Sequence, residues 1–225
     1  MIKIRTLTQL GDELDKDLSR RKRALTSLRF TFSRATNEYR KVVGLSAVCL
    51  LYGHWEGFIK HAGMCYANYV NSLGLPYSSL SNGMVAVCLR SHIRGLRDTK
   101  KISLNRELIE IIRDRGAEAP TIPFRAAIET YDNLNAEVLG EILIMIGCSP
   151  TPYQSKKIQI DEKLLRHRNR IAHNGDDPEF DVDEYEALHT SIVELIDQFR
   201  DDLESAAALR KFERIVPTAK QWANK

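Results

Sequence analysis

Within "LLRHRNRIAHNGDD", residues 164–177, Arg166, His167, Arg168, Asn169, Arg170 and His173 crowd into eight positions. Two of these residue types do chemistry near neutral pH. A histidine, whose unperturbed pKa is about 6.5, takes or gives a proton, and an arginine presents a rigid fork of donors to a carboxylate or a phosphate. Whether the cluster is a solvated basic face or a set of placed groups depends on how a helix would turn it.

At about 100° per residue, Ile160, Leu164, Leu165, Ile171 and Ala172 define one apolar face, and Arg168 falls at its centre. An arginine there must snorkel out or meet partners, because an unpaired buried charge is costly on the scale of a domain's whole stability. Asn169 and His173, one turn apart, border the same face, whereas Arg166, His167 and Arg170 fall on the side predicted to be wet. Two readings stay open. Arg168 pairs with a buried carboxylate and His173 bonds a carbonyl near the helix end, as architecture alone; or Arg168, Asn169 and His173 are held for use.

A carboxylate at the right depth exists. Leu45, Cys49, Tyr52, Glu56, Ile59, Gly63, Tyr66 and Val70 follow one another in steps of four and three, a single stripe of which Glu56 is the one charged member. It is a natural partner for Arg168 and serves both readings. His54 and His61 do not stand three or four residues from Glu56, so no metal site is predicted, and both read as ordinary surface or core residues.

The elements that must position these residues read as helices throughout. Proline and glycine punctuate the chain at 73–83, 116–123 and 147–152, and no segment alternates long enough for a strand. Helices are predicted at 5–33, 37–72, 84–97, 103–115, 124–131, 134–146, 160–174 and 182–210. The second is apolar nearly all round and therefore central. The first carries Leu10, Leu14, Leu18, Leu25, Leu28 and Phe32 inward and the run Arg20 to Arg23 outward. Asn174-Gly175 suits a helix end, and Val182, Tyr185, Ile192, Leu195, Phe199 and Leu203 mark the inner side of the last helix. The fold class is an all-α helical bundle.

Composition sets outer limits. The 225 residues are 43% hydrophobic, enough for a sizeable core, and the net charge of +3 is too small to argue for nucleic acid without clustering. One cluster exists: in "CLRSHIRGLRDTKK", Arg90, Arg94, Arg97 and Lys101 recur at helical spacing, a basic ridge suited to phosphates or, equally, a solvated face. The aromatics are not interleaved as in a single-strand binder. Cys49, Cys65, Cys88 and Cys148 make no CxxC pair, which fits a reducing, cytoplasmic setting. The apolar run 42–52 is interrupted and short for a bilayer, no signal peptide is apparent, and no serine or cysteine occupies a GxSxG-like elbow.

The segment "RNRIAH", residues 168–173, resembles the arginine, polar residue, three residues, histidine signature of HEPN domains, the higher eukaryote and prokaryote nucleotide-binding superfamily. "LYGHWEGFIKHA", residues 51–62, is similar to the Tyr-x-His-Trp-Glu-Gly-Phe segment of free-standing bacterial HEPN ribonucleases. The resemblance implies one helical domain over 1–225 with a short helical insertion at about 74–158, dimerising through the motif helix. It further implies a metal-independent endoribonuclease without cofactor. Carried over by position, Arg168 and His173 form the catalytic pair, Asn169 is the polar residue after the arginine, and Glu56 orients Arg168. RNA brings its own nucleophile, the 2′-hydroxyl. The enzyme then supplies a proton acceptor and donor and a cation for the phosphorane. RNA is the implied substrate and a second copy the implied partner; an antitoxin or sensor protein is compatible with a toxin or antiviral-defence role. The rival expectation is a catalytically silent HEPN-like dimer that binds a nucleotide or a partner protein.

Overall fold

The computed structural model describes residues 3–96, 102–177 and 182–215. Arg97, Lys101 and the acidic stretch 178–181 lie outside the described residues. Among those described, every regular element is helical: α1 (Leu7–Ser33), α2 (Asn37–Ser72), α3 (Asn82–Leu96), α4 (Ile102–Asp114), α5 (Ala136–Ile146), α6 (Thr151–Gln154), α7 (Arg166–Asn174) and α8 (Val182–Ala208). An all-α bundle is what the spacing predicts.

The three long helices α1, α2 and α8 pack on one another. Leu10, Leu14, Leu25 and Phe32 of α1 are buried with Leu18 and Leu28 packed against the core, and α8 contributes Tyr185, Ile192, Leu195, Phe199 and Leu203. Thr6 caps α1 by accepting from the Gln9 amide at 3.1 Å. α2 is long and apolar enough, by length and composition, to cross a membrane, further than the run 42–52 suggested. Here it is the central helix, with Trp55, Phe58, Ile59, Ala62 and Tyr66 fully enclosed.

Two of the sequence expectations need correction. Arg21 does not lie on the wet side of α1: its side chain is only 11% exposed and it grips the buried Asp17 at 2.6 Å, while donating to the His54 carbonyl on α2 at 3.2 Å. The helix predicted at 124–131 is only a single turn, Phe124–Ala126, after which the chain runs irregularly to Asn135. Tyr131 and Asp132 adopt φ of +52° and +56°, a left-handed pair that ends any helix and is more at home in a turn.

The chain reaches α7 through a π-helical stretch, Gln159–Leu165. Its wider i→i+5 turns retard the phase of everything after it, so a uniform 3.6-residue wheel misplaces the residues beyond Leu165. Asp161 in this stretch accepts from the Ala136 amide at 2.7 Å and so fastens it to the start of α5. α7 ends as predicted, with Gly175 at φ +71° and its amide on the Ile171 carbonyl at 2.8 Å.

Candidate functional site

Arg168 leans from α7 onto α2. Its guanidinium lies 4.0 Å from the centre of the Tyr52 ring, its Nη2 donates to the Asp132 carbonyl at 2.5 Å, and its Nη1 donates to Asn169 Oδ1 at 2.8 Å. The cost of taking the cation partly out of water is thus met by a π face and two oxygens. Five N–H donors serve these contacts, so the group is held in place and still has donors to offer a phosphate.

Tyr52 does two jobs. Its ring supports Arg168, and its hydroxyl accepts from the buried Leu134 amide at 2.8 Å and donates to the Asp132 carbonyl at 3.4 Å. Burial, together with the nearby Glu56 carboxylate, pushes its phenol up, so it stays a neutral ring with a proton to donate. Asn169 reaches the same loop, donating to Asn133 Oδ1 at 3.4 Å.

The direct Arg168–Glu56 pair is not made. Glu56 accepts a hydrogen bond from Thr130 and an ion pair from Lys60 at 3.1 Å. Thr130 and Asp132 belong to the same loop, so Glu56 bears on Arg168 through the backbone of 130–132. The reason is geometric: Tyr52, one turn before Glu56 on α2, occupies the place the arginine takes.

His173 is exposed, and a separation of five positions turns it about 140° from Arg168 around α7. It shares instead an open hollow of about 520 Å³ with Asn169, Arg166 and Arg170, lined entirely by residues between Asp161 and Asn174. His167 departs furthest from the prediction of a wet face. It is 1% exposed, bonded through Nδ1 to the buried Asp177 carboxylate, with Glu184 of α8 at 3.6 Å from Nε2 and Arg170 at 3.4 Å from Asp177. The π-helical phase slip carries it inward, and there it clasps α7 to the chain leading into α8. Arg166 is exposed, as predicted.

The two described members of the basic ridge are engaged on the same irregular segment. Arg90 Nη1 donates to the carbonyls of Ala127 at 3.0 Å and Ala126 at 3.4 Å, and Arg94 pairs with Glu129. They fasten the segment that carries Asp132.

The "YGHWEGF" residues have separable tasks. Trp55 and Phe58 fill the core, and Gly57 leaves room for Arg21: a β-carbon there would stand 2.6 Å from Arg21 Nη1. His61 lies 3.5 Å from both Glu13 and the Cys65 sulfur, remote in role from Glu56. Among the described residues no three His, Cys, Asp or Glu side chains gather closely enough to hold a metal ion. Burial pushes the Cys65 thiol up to about 12 and Cys88 to about 11, which leaves neither a thiolate nucleophile at neutral pH.

Sequence reasoning missed Tyr52, Thr130, Asp132 and Asn133 as parts of the site. Tyr52 was visible, one turn from Glu56 in the α2 stripe. The Asp132 contribution is a main-chain carbonyl and leaves no residue signature.

Comparison with known proteins agrees with this layout. The family model described as HEPN_MAE_28990-like HEPN matches residues 10–212, a span that holds both α2 and the Arg168–His173 helix. No curated protein and no solved structure matches the chain. With the match running over most of its length, the chain belongs to the HEPN family.

Proposed function

We propose that the protein is a metal-independent endoribonuclease whose Arg168 and His173 act in a cleft shared by two copies, in a toxin or antiviral-defence role. The observation that carries this reading is the pre-set guanidinium of Arg168, stacked on Tyr52 and held by the Asp132 carbonyl, one turn and a half before an exposed histidine. Family membership supports a nuclease or nucleotide-binding role in general.

In the reaction, the 2′-hydroxyl loses its proton to one His173 and attacks the adjacent phosphorus, while the P–O5′ bond breaks and a second histidine returns a proton to the leaving oxygen. The products are a 2′,3′-cyclic phosphate and a 5′-hydroxyl. Arg168, oriented in advance, stabilises the charge on the phosphorane oxygens without having to reorganise. One chain supplies a single motif histidine and points it away from its own Arg168. A second copy facing the exposed flank of α7 provides the other histidine.

Purified protein incubated with structured RNA in EDTA tests the reading. Wild type cuts, Arg168→Ala and His173→Ala do not, and mixing the two variants restores part of the activity by assembling an intact pair across the cleft. Equal, background cleavage by all three would leave the silent nucleotide- or protein-binding dimer. A monomer by light scattering at micromolar concentration would remove the shared cleft. Growth arrest on expression, relieved by His173→Ala, tests the toxin role.

A further inference from the structure

A second cavity, of about 240 Å³, opens beside the irregular segment between α3 and α5. Its floor is apolar, with Val87, Ile142 and Met145 nearly fully buried. Its rim is not: Arg90, Glu129 and Glu141 stand there, and Tyr131 forms one wall with 70% of its surface in water. α3 comes this close to α5 because residue 83 is glycine; a β-carbon there would stand 2.8 Å from the Met145 carbonyl.

We propose that this cavity is a nucleobase subsite, and that it places a base next to the phosphate held at Arg168; the second half of the proposal rests on the ribonuclease reading above. Volume comes first. The cavity is just below the range of drug-sized sites, roughly 300–1,000 Å³, and suits a single ring system. Polarity decides the class. A purely apolar ligand would leave Arg90, Glu129 and Glu141 desolvated without partners, and a phosphate would meet two carboxylates. A nucleobase offers what the rim lacks: a flat face for Tyr131, ring acceptors for Arg90 and amino donors for Glu129 or Glu141. Both carbonyl bonds of Arg90 leave from Nη1, so among the described residues Nε and Nη2 keep hydrogens to donate.

Position ties the cavity to the site. Tyr131 and Asp132 are consecutive left-handed residues, a backbone state that persists only where its surroundings enforce it. One presents its ring to the cavity, and the next gives its carbonyl to Arg168 at 2.5 Å. A base at Tyr131 and a phosphate at Arg168 are therefore read by neighbouring residues of one turn.

Calorimetric titration of the full chain with guanosine 5′-monophosphate and uridine 5′-monophosphate is the test. The guanine nucleotide binds, and uridine, which has no exocyclic amine, binds at least about tenfold more weakly, the scale of a lost base-edge contact. Ala86→Phe, which fills the cavity from an exposed rim position, and Tyr131→Ala, which removes the stacking wall, each weaken guanosine monophosphate at least about tenfold while circular dichroism is unchanged. Absence of binding, or affinity unaffected by both substitutions, would overturn the proposal. Displacement of a short RNA by guanosine monophosphate assigns the subsite to a base of the strand, and simultaneous binding assigns it to a free nucleotide; both uphold nucleobase recognition. A wild type that binds guanosine monophosphate but cuts no RNA keeps the subsite and refutes the ribonuclease reading.

Discussion

Tyr52→Phe separates the two tasks of the residue beneath Arg168. The substitution removes one oxygen and leaves the ring. Leu134 is fully buried and its amide donates to that oxygen at 2.8 Å, so the variant strands a buried donor, at a cost of about 1–3 kcal/mol. For a chain of this size a kilocalorie per mole moves the melting temperature by about 2–4 °C, so a fall of roughly 2–12 °C is expected. The stacking of Arg168 on the ring, worth about 0.5–2 kcal/mol, survives in Tyr52→Phe and is lost in Tyr52→Leu. Thermal and urea unfolding of the three proteins give the first comparison. RNA cleavage gives the second: kcat falls in Tyr52→Phe because the 130–134 loop that presents the Asp132 carbonyl is loosened, and falls further in Tyr52→Leu. A melting temperature within about 1 °C of wild type for Tyr52→Phe would show that the loop does not depend on this bond and refute the reasoning.

Gly57→Ala tests the packing that the α2 motif implies. Alanine normally gains about 1 kcal/mol over glycine inside a helix. Here the new methyl displaces Arg21 from Asp17, which is 8% exposed, so net destabilisation in urea is expected and a rise in stability would contradict the packing. His189 makes a pH prediction. Burial first, and then the nearby Arg29, hold its imidazole below the ordinary range, so the unfolded chain takes up a proton at higher pH than the folded one. Its contribution is therefore present at neutral pH and lost as pH falls through about 6.5. The drop in melting temperature between pH 7.5 and 5.5 should be larger for wild type than for His189→Gln; equal drops would rule out this linkage.

Much of the architecture is local and therefore written in the chain. The 3.6-residue recurrence of Leu10, Leu14 and Leu25, the nearly continuous apolar character of α2 and the Asn174-Gly175 stop each act within a few residues. The helices follow from them, and so does the choice of Arg168 as the residue needing an explanation, because a charge amid an apolar stripe is visible without a partner. What tertiary structure alone decided lies at two places. The π-helical stretch 159–165 slips the helix phase by an amount that no side-chain pattern announces, and it carries His167 from the predicted wet side to a buried bond with Asp177. The segment 124–134 is drawn out of its predicted helix by contacts remote in sequence, namely Arg90, Glu56 and the Tyr52 hydroxyl, which satisfy its backbone and Thr130 hydroxyl. Arg168 consequently meets a carbonyl and an aromatic face instead of the carboxylate of Glu56. A sequence names the side chains available to a cation, but main-chain oxygens are common to every residue, and only the path of the chain selects which one it meets.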